Sequence, residues 1–285
     1  MNILVTGSDG QLGQCFKKYS NIGNDNYFFK NKKNLNIVDY DQVDNFIKKN
    51  QINIIINCAA YTNVDKAESE KKKCFDINVL GLENLVKLSI KYDAFLIHFS
   101  TDYVFDGNNE RPLLEDDLTS PINYYGSTKL ESEKVFLLSK SRGMIFRISW
   151  LYSRFGKNFY TNILDMLSNN DAFEMVVDQC SSPTNADALA MNIAHLIKTR
   201  RILSIKSNEI FHFSDTGYCS KYDFVMKLNK FTFNRTNISP ISYDELQFFA
   251  KRPKFSAFNN SKVQRYFGIS LSAWNLNLNR YVKEN

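Results

Sequence analysis

The chain has little with which to hold a metal or a disulfide framework. Its 285 residues include only 3 histidines, none at metal-ligand spacing, and the cysteines at 15, 58, 74, 180 and 219 form no Cys-x-x-Cys pair. Zinc sites and a cross-linked secreted scaffold are set aside, and the thiols are expected to be free and buried in a reducing cytosol. No apolar run approaches the roughly 20 residues that span a bilayer. Met1-Asn2-Ile3-Leu4-Val5 reads directly as a strand, without a charged leader. The expectation is a soluble, cytoplasmic protein with no membrane partner. Charge is not segregated either: 36 Lys and Arg against 30 Asp and Glu leave +6, interspersed along the chain. That pattern argues against a nucleic-acid partner and leaves a small anionic molecule as the modest inference. There is no internal repeat.

What the chain does have is alternation. Apolar runs at 2–6, 53–58, 94–99 and 144–148 are separated by helical stretches at 11–19, 39–50, 75–92 and 123–140. Strands alternating with helices imply βαβ units, so the fold class is α/β: a Rossmann-type doubly wound parallel sheet with a smaller C-terminal substrate-binding lobe. After Trp150 the connections lengthen, with a helix expected at 158–169, a strand at 174–177 and a helix at 187–199. Residues 1–157 are assigned to a nucleotide-binding domain, to which 181–204 returns. Residues 158–180 and 205–285 are assigned mainly to the lobe.

Gly7, Gly10 and Gly13 follow the first strand and open the first helix. That spacing permits a tight turn, close approach of backbone to a pyrophosphate, and close packing of helix on strand. The helix N-terminus, with Gln11 and Leu12, then supplies N–H groups and partial positive charge to an anion. The second strand ends at Lys30-Asn31-Lys32-Lys33 rather than in the acidic residue that selects a ribose 2′-hydroxyl. NADPH is therefore preferred, with NADH also allowed. Ala59, Ala60 and Tyr61, after the third strand, leave room for adenine or ribose, although packing alone would also explain the alanines.

Tyr125 and Lys129 stand one helical turn apart on one face. A phenol is a poor acid–base group at neutral pH unless its anion is stabilised, and a neighbouring ammonium is expected to lower its pKa. Thr101 lies just past the fourth strand, at the carboxyl edge where open α/β sheets bind ligands. Its hydroxyl is placed to orient a substrate oxygen that Tyr125 protonates. Thr101, Tyr125 and Lys129 are thus the catalytic candidates.

Together these residues resemble the extended short-chain dehydrogenase/reductase family. Longer strings resemble its dTDP-4-dehydrorhamnose reductase branch: Asn57 through Glu68, Ser100 through Gly107, Tyr125-Gly-Ser-Thr-Lys129, Arg147-Ile-Ser-Trp150, Gly156-Lys157-Asn158-Phe159, Asp178-Gln179, Pro183-Thr184 and Arg252-Pro253. The resemblance implies reduction of the C4 keto group of a nucleotide-linked 6-deoxy sugar, with NADPH or NADH as cofactor. It places Asp102 or Tyr103 and Trp150 against the sugar and Arg252 near a diphosphate, and gives Asn78 an organising role. Lys32, Asn36 and Ile37 fall on its cofactor side, where Asn36 replaces the family's usual acidic residue. A second departure is Lys221, where the family carries an aromatic. Gln14 and Cys15 replace the acidic residue through which some relatives bridge subunits by a metal, so no metal is expected. A homodimer is compatible with the sequence but not fixed by it. An epimerase, a reductase of another 4-keto sugar, and a non-catalytic cofactor-binding subunit remain open. The Asp-Glu pair of the sugar-nucleotide dehydratases is absent, since Tyr103 follows Asp102.

Overall fold

Both faces of the first strand, β1 (Asn2–Thr6), are covered. Ile3 and Val5 join a core under helices 11–19 and 186–198, while Leu4 joins a second core under helices 40–50 and 81–91. This is why the run is apolar throughout instead of alternating. The same division recurs in β3 (Ile54–Asn57), β4 (Phe95–Thr101) and β5 (Gly143–Ile148): Ile56, Ile97 and Met144 face one way, Ile55, Leu96 and Ile145 the other. The structure is a computed structural model that describes residues 1–232, 236–246 and 249–284.

With β2 (Asn26–Lys30) at one edge and Asn208–Phe213 at the other, six parallel strands form one sheet. Their order is Asn208–Phe213, β5, β4, β3, β1, β2. The chain leaves β1 toward β2 and then crosses back to β3, so the order reverses between β1 and β3. A crevice at the carboxyl ends of these two strands follows from that reversal. The architecture is a Rossmann-type parallel sheet with helices on both faces.

One expected boundary needs correction. Asn208–Phe213, assigned from sequence to the lobe, is the sixth strand of the sheet, and helix Ser261–Phe267 packs Val263 and Phe267 into the same core. Without this strand the outer edge of β5 would lack partners; with it, Phe211 and Phe213 lie with ring centres 6.0 and 6.1 Å from that of Phe146. The remaining lobe has its own aromatic core. Helices Phe159–Asn169, Lys221–Phe231 and Trp274–Lys283 enclose Tyr152, Tyr160, Phe224 and Tyr281. Strands Ala172–Val176 and Asn237–Ile241 pair beside them.

A buried carboxylate ties several chain segments together above the sheet. Asp102, at the end of β4, accepts hydrogen bonds from Thr101 Oγ1 (3.0 Å), Ser149 Oγ (3.2 Å) and Ser256 Oγ (2.6 Å). Ser181 bridges Ser149 and Ser256. Four chain segments are thus tied together directly above the sheet.

Candidate active site

Two cavities meet over the carboxyl edge of the sheet, and both touch Asp9, Gly10, Cys58 and Ala60. The second, about 580 Å³, is lined by Gly7, Lys32, Lys33, Asn36, Ile37, Ala59 and Ala60 among others. Gly7 has φ of +60°, and a Cβ there would stand 2.6 Å from the Ala59 backbone nitrogen. Only glycine suits this turn. Gly10 caps helix Gln11–Tyr19 without a side chain to occupy its first-turn N–H groups. Those donors, the close backbone approach and the two lysines fit a dinucleotide with an additional phosphate.

The first cavity, about 500 Å³, brings Gln11, Leu12, Thr101, Asp102, Tyr103, Tyr125, Lys129 and Trp150 together. Helix Tyr124–Leu137 begins at Asn123, whose side chain accepts from the Gly126 N–H at 2.7 Å. A Cβ at Gly126 would lie 2.2 Å from the Tyr103 carbonyl oxygen, so the missing side chain lets this helix close onto the turn carrying Thr101. The Tyr103 and Tyr125 rings meet edge to face, centres 5.9 Å apart.

Electrostatics at these groups depart from the sequence expectation in one respect. Burial pushes the Tyr125 phenol well above its ordinary value, and the adjacent Thr101 hydroxyl offsets this only in part. Lys129 is itself buried and lowered to about 8 by desolvation, against the pull of Glu133. Its Nζ donates to the Phe99 carbonyl at 2.6 Å and lies 3.1 Å from His98 Nε2. The lysine is therefore held against the strand, and the phenol stands high instead of low. In this state the phenol carries its proton, and its raised pKa makes it a weaker acid until its anion is stabilised.

Other expected residues fall elsewhere. Gly13 lines neither cavity; a Cβ on it would sit 2.6 Å from the Gly7 carbonyl oxygen, so its part is helix packing. Tyr61 also lines neither, its N–H donating to Asn78 Oδ1 (2.8 Å) and its hydroxyl to Glu70 (3.1 Å). Arg252 is not among the residues lining either cavity, and its Nη2 pairs with Asp65 at 2.6 Å. Asn78 sits in a π-helical turn, Asp76–Leu80, and reaches the Tyr61 carbonyl at 3.1 Å and Thr128 Oγ1 at 3.0 Å. Its contacts are structural ones behind the catalytic helix.

Trp150 has φ of +41°, a left-handed backbone in a bulky residue. Such strain costs of order 1–3 kcal/mol and clusters at functional sites. The Lys221 ammonium lies over this ring. Lysine 157, in the quoted Gly156-Lys157-Asn158-Phe159 string, and Asn57 also line the first cavity but were not picked from sequence. His98 was missed too, although a histidine within an otherwise apolar strand was a visible signal.

Phenol, hydroxyl and amine at the mouth of a dinucleotide crevice define the class: a Rossmann-type oxidoreductase site. A family model described as "RmlD substrate binding domain" matches residues 1–285, and the chain belongs to that family, within the extended short-chain dehydrogenases/reductases. It is similar to the dTDP-4-dehydrorhamnose reductase of Sinorhizobium fredii, at 35% identity covering 99% of this chain and 97% of that protein. A second relative of the same name, from Aggregatibacter actinomycetemcomitans, is 32% identical, with 95% of each chain covered. Among solved structures, the Bacillus anthracis dTDP-4-dehydrorhamnose reductase in complex with NADP superimposes with a TM-score of 0.94 at 32% identity, covering 100% of this chain and 99% of that one.

Proposed function

We propose that the chain is a dTDP-4-dehydrorhamnose reductase, which reduces the C4 keto group of dTDP-4-dehydro-6-deoxy-L-mannose to give dTDP-L-rhamnose with NADPH, in the cytoplasm. The observation that carries this reading is the single cavity lined by Thr101, Tyr125 and Lys129, continuous with the glycine loop through Gly10 and Cys58. The full-length likeness to reductases of that name supports the substrate.

NADPH, when bound, supplies the hydride for the keto carbon. Gly7, Gly10, Gln11 and Leu12 would hold its pyrophosphate, Lys32 and Lys33 its ribose phosphate, and Ala59 and Ala60 the adenosine side. Tyr125 gives its phenolic proton to the keto oxygen, and the negative charge left on the phenol is what Lys129 is placed to stabilise. Thr101 gives its proton to Asp102 in the free protein; with the sugar bound the same hydroxyl would turn its one proton to the keto oxygen and restrain it. Lys129, fixed by Phe99, stands one turn behind the phenol and stabilises negative charge as it develops there. Trp150 and Tyr103 wall the sugar, and Asp102 acts from beneath.

The test supplies dTDP-4-keto-6-deoxyglucose with a 3,5-epimerase and follows loss of nicotinamide absorbance. Stoichiometric NADPH consumption with accumulation of dTDP-rhamnose is expected. Sugar interconversion without net consumption would replace this reading with an epimerase, and no turnover alongside tight cofactor binding would replace it with a regulatory binder.

A further inference from the structure

The loop between Tyr152 and Phe159 is braced from several sides. Ser153 Oγ lies 2.9 Å from Gln11 Oε1, in the first turn of the glycine-loop helix, and 3.3 Å from the Phe155 carbonyl. Either orientation of the Gln11 amide keeps the bond between the two side chains, since a hydroxyl both donates and accepts. The Arg154 backbone N–H donates to the Tyr281 hydroxyl at 2.8 Å, which ties the loop to the lobe. Asn158 caps helix Phe159–Asn169 with its Oδ1 and reaches back with Nδ2 to the Ser153, Phe155 and Gly156 carbonyls at 2.8, 3.2 and 3.4 Å. Gly156, at φ of +68°, makes the reversal. Lys157 follows it, exposed, and lines the first cavity together with Asp9, Gly10 and Gln11.

The other charged groups lining that cavity are already engaged. Asp102 accepts from three hydroxyls, and the Lys129 ammonium donates to the Phe99 carbonyl and faces His98. The Asp9 carboxylate is met by Asn31 Nδ2 at 2.7 Å and by Lys17 Nζ at 3.8 Å. Lys157 has no carboxylate within ion-pair distance among the described residues. A dinucleotide pyrophosphate brings two negative charges to the helix N-terminus at Gly10 and Gln11, which offers only about half a positive charge. The cation still needed is the one that the braced loop carries.

We propose that Lys157 is a cofactor-binding residue whose ammonium closes over the pyrophosphate held by the glycine loop. This rests on the dinucleotide reading of the crevice and adds a contact to the part that NADPH and NADH share, whereas Lys32 and Lys33 meet only the 2′-phosphate. The bond between Ser153 and Gln11 favours the cofactor over the diphosphate of the sugar nucleotide, because it fixes the loop to the residue that opens the pyrophosphate-binding helix.

Lys157→Met and Lys157→Arg test this by fluorescence titration with NADPH and NADH, and by calorimetry with ADP, adenosine 2′-monophosphate and dTDP. Methionine is expected to weaken NADPH, NADH and ADP alike by about tenfold, the loss of one charge-assisted contact. Arginine is expected to retain most of the affinity. Adenosine 2′-monophosphate, which has no pyrophosphate, and dTDP should bind as they do to the wild type, and the melting temperature should stay unchanged because the side chain is exposed. Unchanged dinucleotide affinity in Lys157→Met overturns the proposal. A loss of dTDP affinity also overturns it and gives the lysine to the sugar nucleotide, and an equal loss for adenosine 2′-monophosphate overturns it as a general disturbance of the crevice. Wild-type protein that bound neither dinucleotide would end the cofactor reading and this proposal together, an outcome visible before any variant is compared.

Discussion

Lys221 holds its ammonium 5.8 Å from the centre of the Trp150 ring and 5.7 Å from that of Phe159. No carboxylate among the described residues lies within ion-pair distance of it. Burial, and then the nearby Arg252 charge, lower it to about 8. A cation beside a residue of the first cavity would add attraction for an anionic substrate bound as proposed. Lys221→Met is expected to raise KM for the sugar nucleotide about tenfold, as loss of one charge-assisted contact would, with kcat and cofactor affinity unchanged. The wild-type KM is expected to climb as pH passes through 8, because the ammonium is lost there. Steady-state kinetics across pH, in both proteins, check this.

Tyr125→Phe deletes the proposed proton donor and little else. A fall in kcat of about 10² to 10⁴ is expected, the range of general acid catalysis, while cofactor binding, measured by fluorescence titration, stays nearly as it was. Loss of both together would mark the tyrosine as structural.

Lys32 and Lys33 line the cavity beyond the glycine loop. Replacing both with alanine should weaken NADPH by about tenfold or more, since a phosphate loses two cationic partners. NADH, which lacks that phosphate, should be used equally well by both proteins. Parallel loss for the two cofactors would place the lysines outside the binding site.

Asp215 is buried and accepts from Asn277 Nδ2 at 2.7 Å and from the Tyr152 hydroxyl at 3.1 Å. Burial raises it from 3.8 to about 7, against the lowering effect of these bonds. The folded protein therefore binds this proton more tightly than the unfolded chain does. The stability it contributes is full below about pH 4 and is lost as pH rises through 7, a change on the order of a few kcal/mol. Asp215→Asn should flatten that decline, so that melting temperature falls less between pH 5 and 8 than in the wild type. An identical decline in both proteins would show that the carboxyl is already ionised at pH 5.

Much of this was legible because period and position agree. β1, β3, β4 and β5 are apolar throughout since each is covered on both faces, and helix 11–19 starts where the glycines require it. The Tyr125–Lys129 spacing and Thr101 at a strand end put all three at one cavity. The sixth strand was hidden: Asn208-Glu209-Ile210-Phe211-His212-Phe213 mixes polar and apolar residues, because its buried histidine bonds the Leu113 carbonyl and its backbone takes the Glu115 carboxylate. Nor could spacing reveal that Arg252 would be captured by Asp65, 187 positions away, or that Tyr61 would turn to Glu70. Such partners are set by tertiary folding and leave no local periodicity. The high phenol has the same origin, since desolvation depends on what the fold closes over Tyr125.

The π-turn at Asp76–Leu80 carries one surplus residue for an α-helix, and the active-site wall depends on it. Deleting that residue would rewind the downstream helix by about 100°, swinging the Asn78 amide off both the exit of β3 and Thr128. A single-codon loss well away from the reacting carbon would thus unfasten the segment carrying Ala59 and Ala60 from the helix carrying Lys129, leaving the six-stranded sheet intact but its two halves of chemistry out of register.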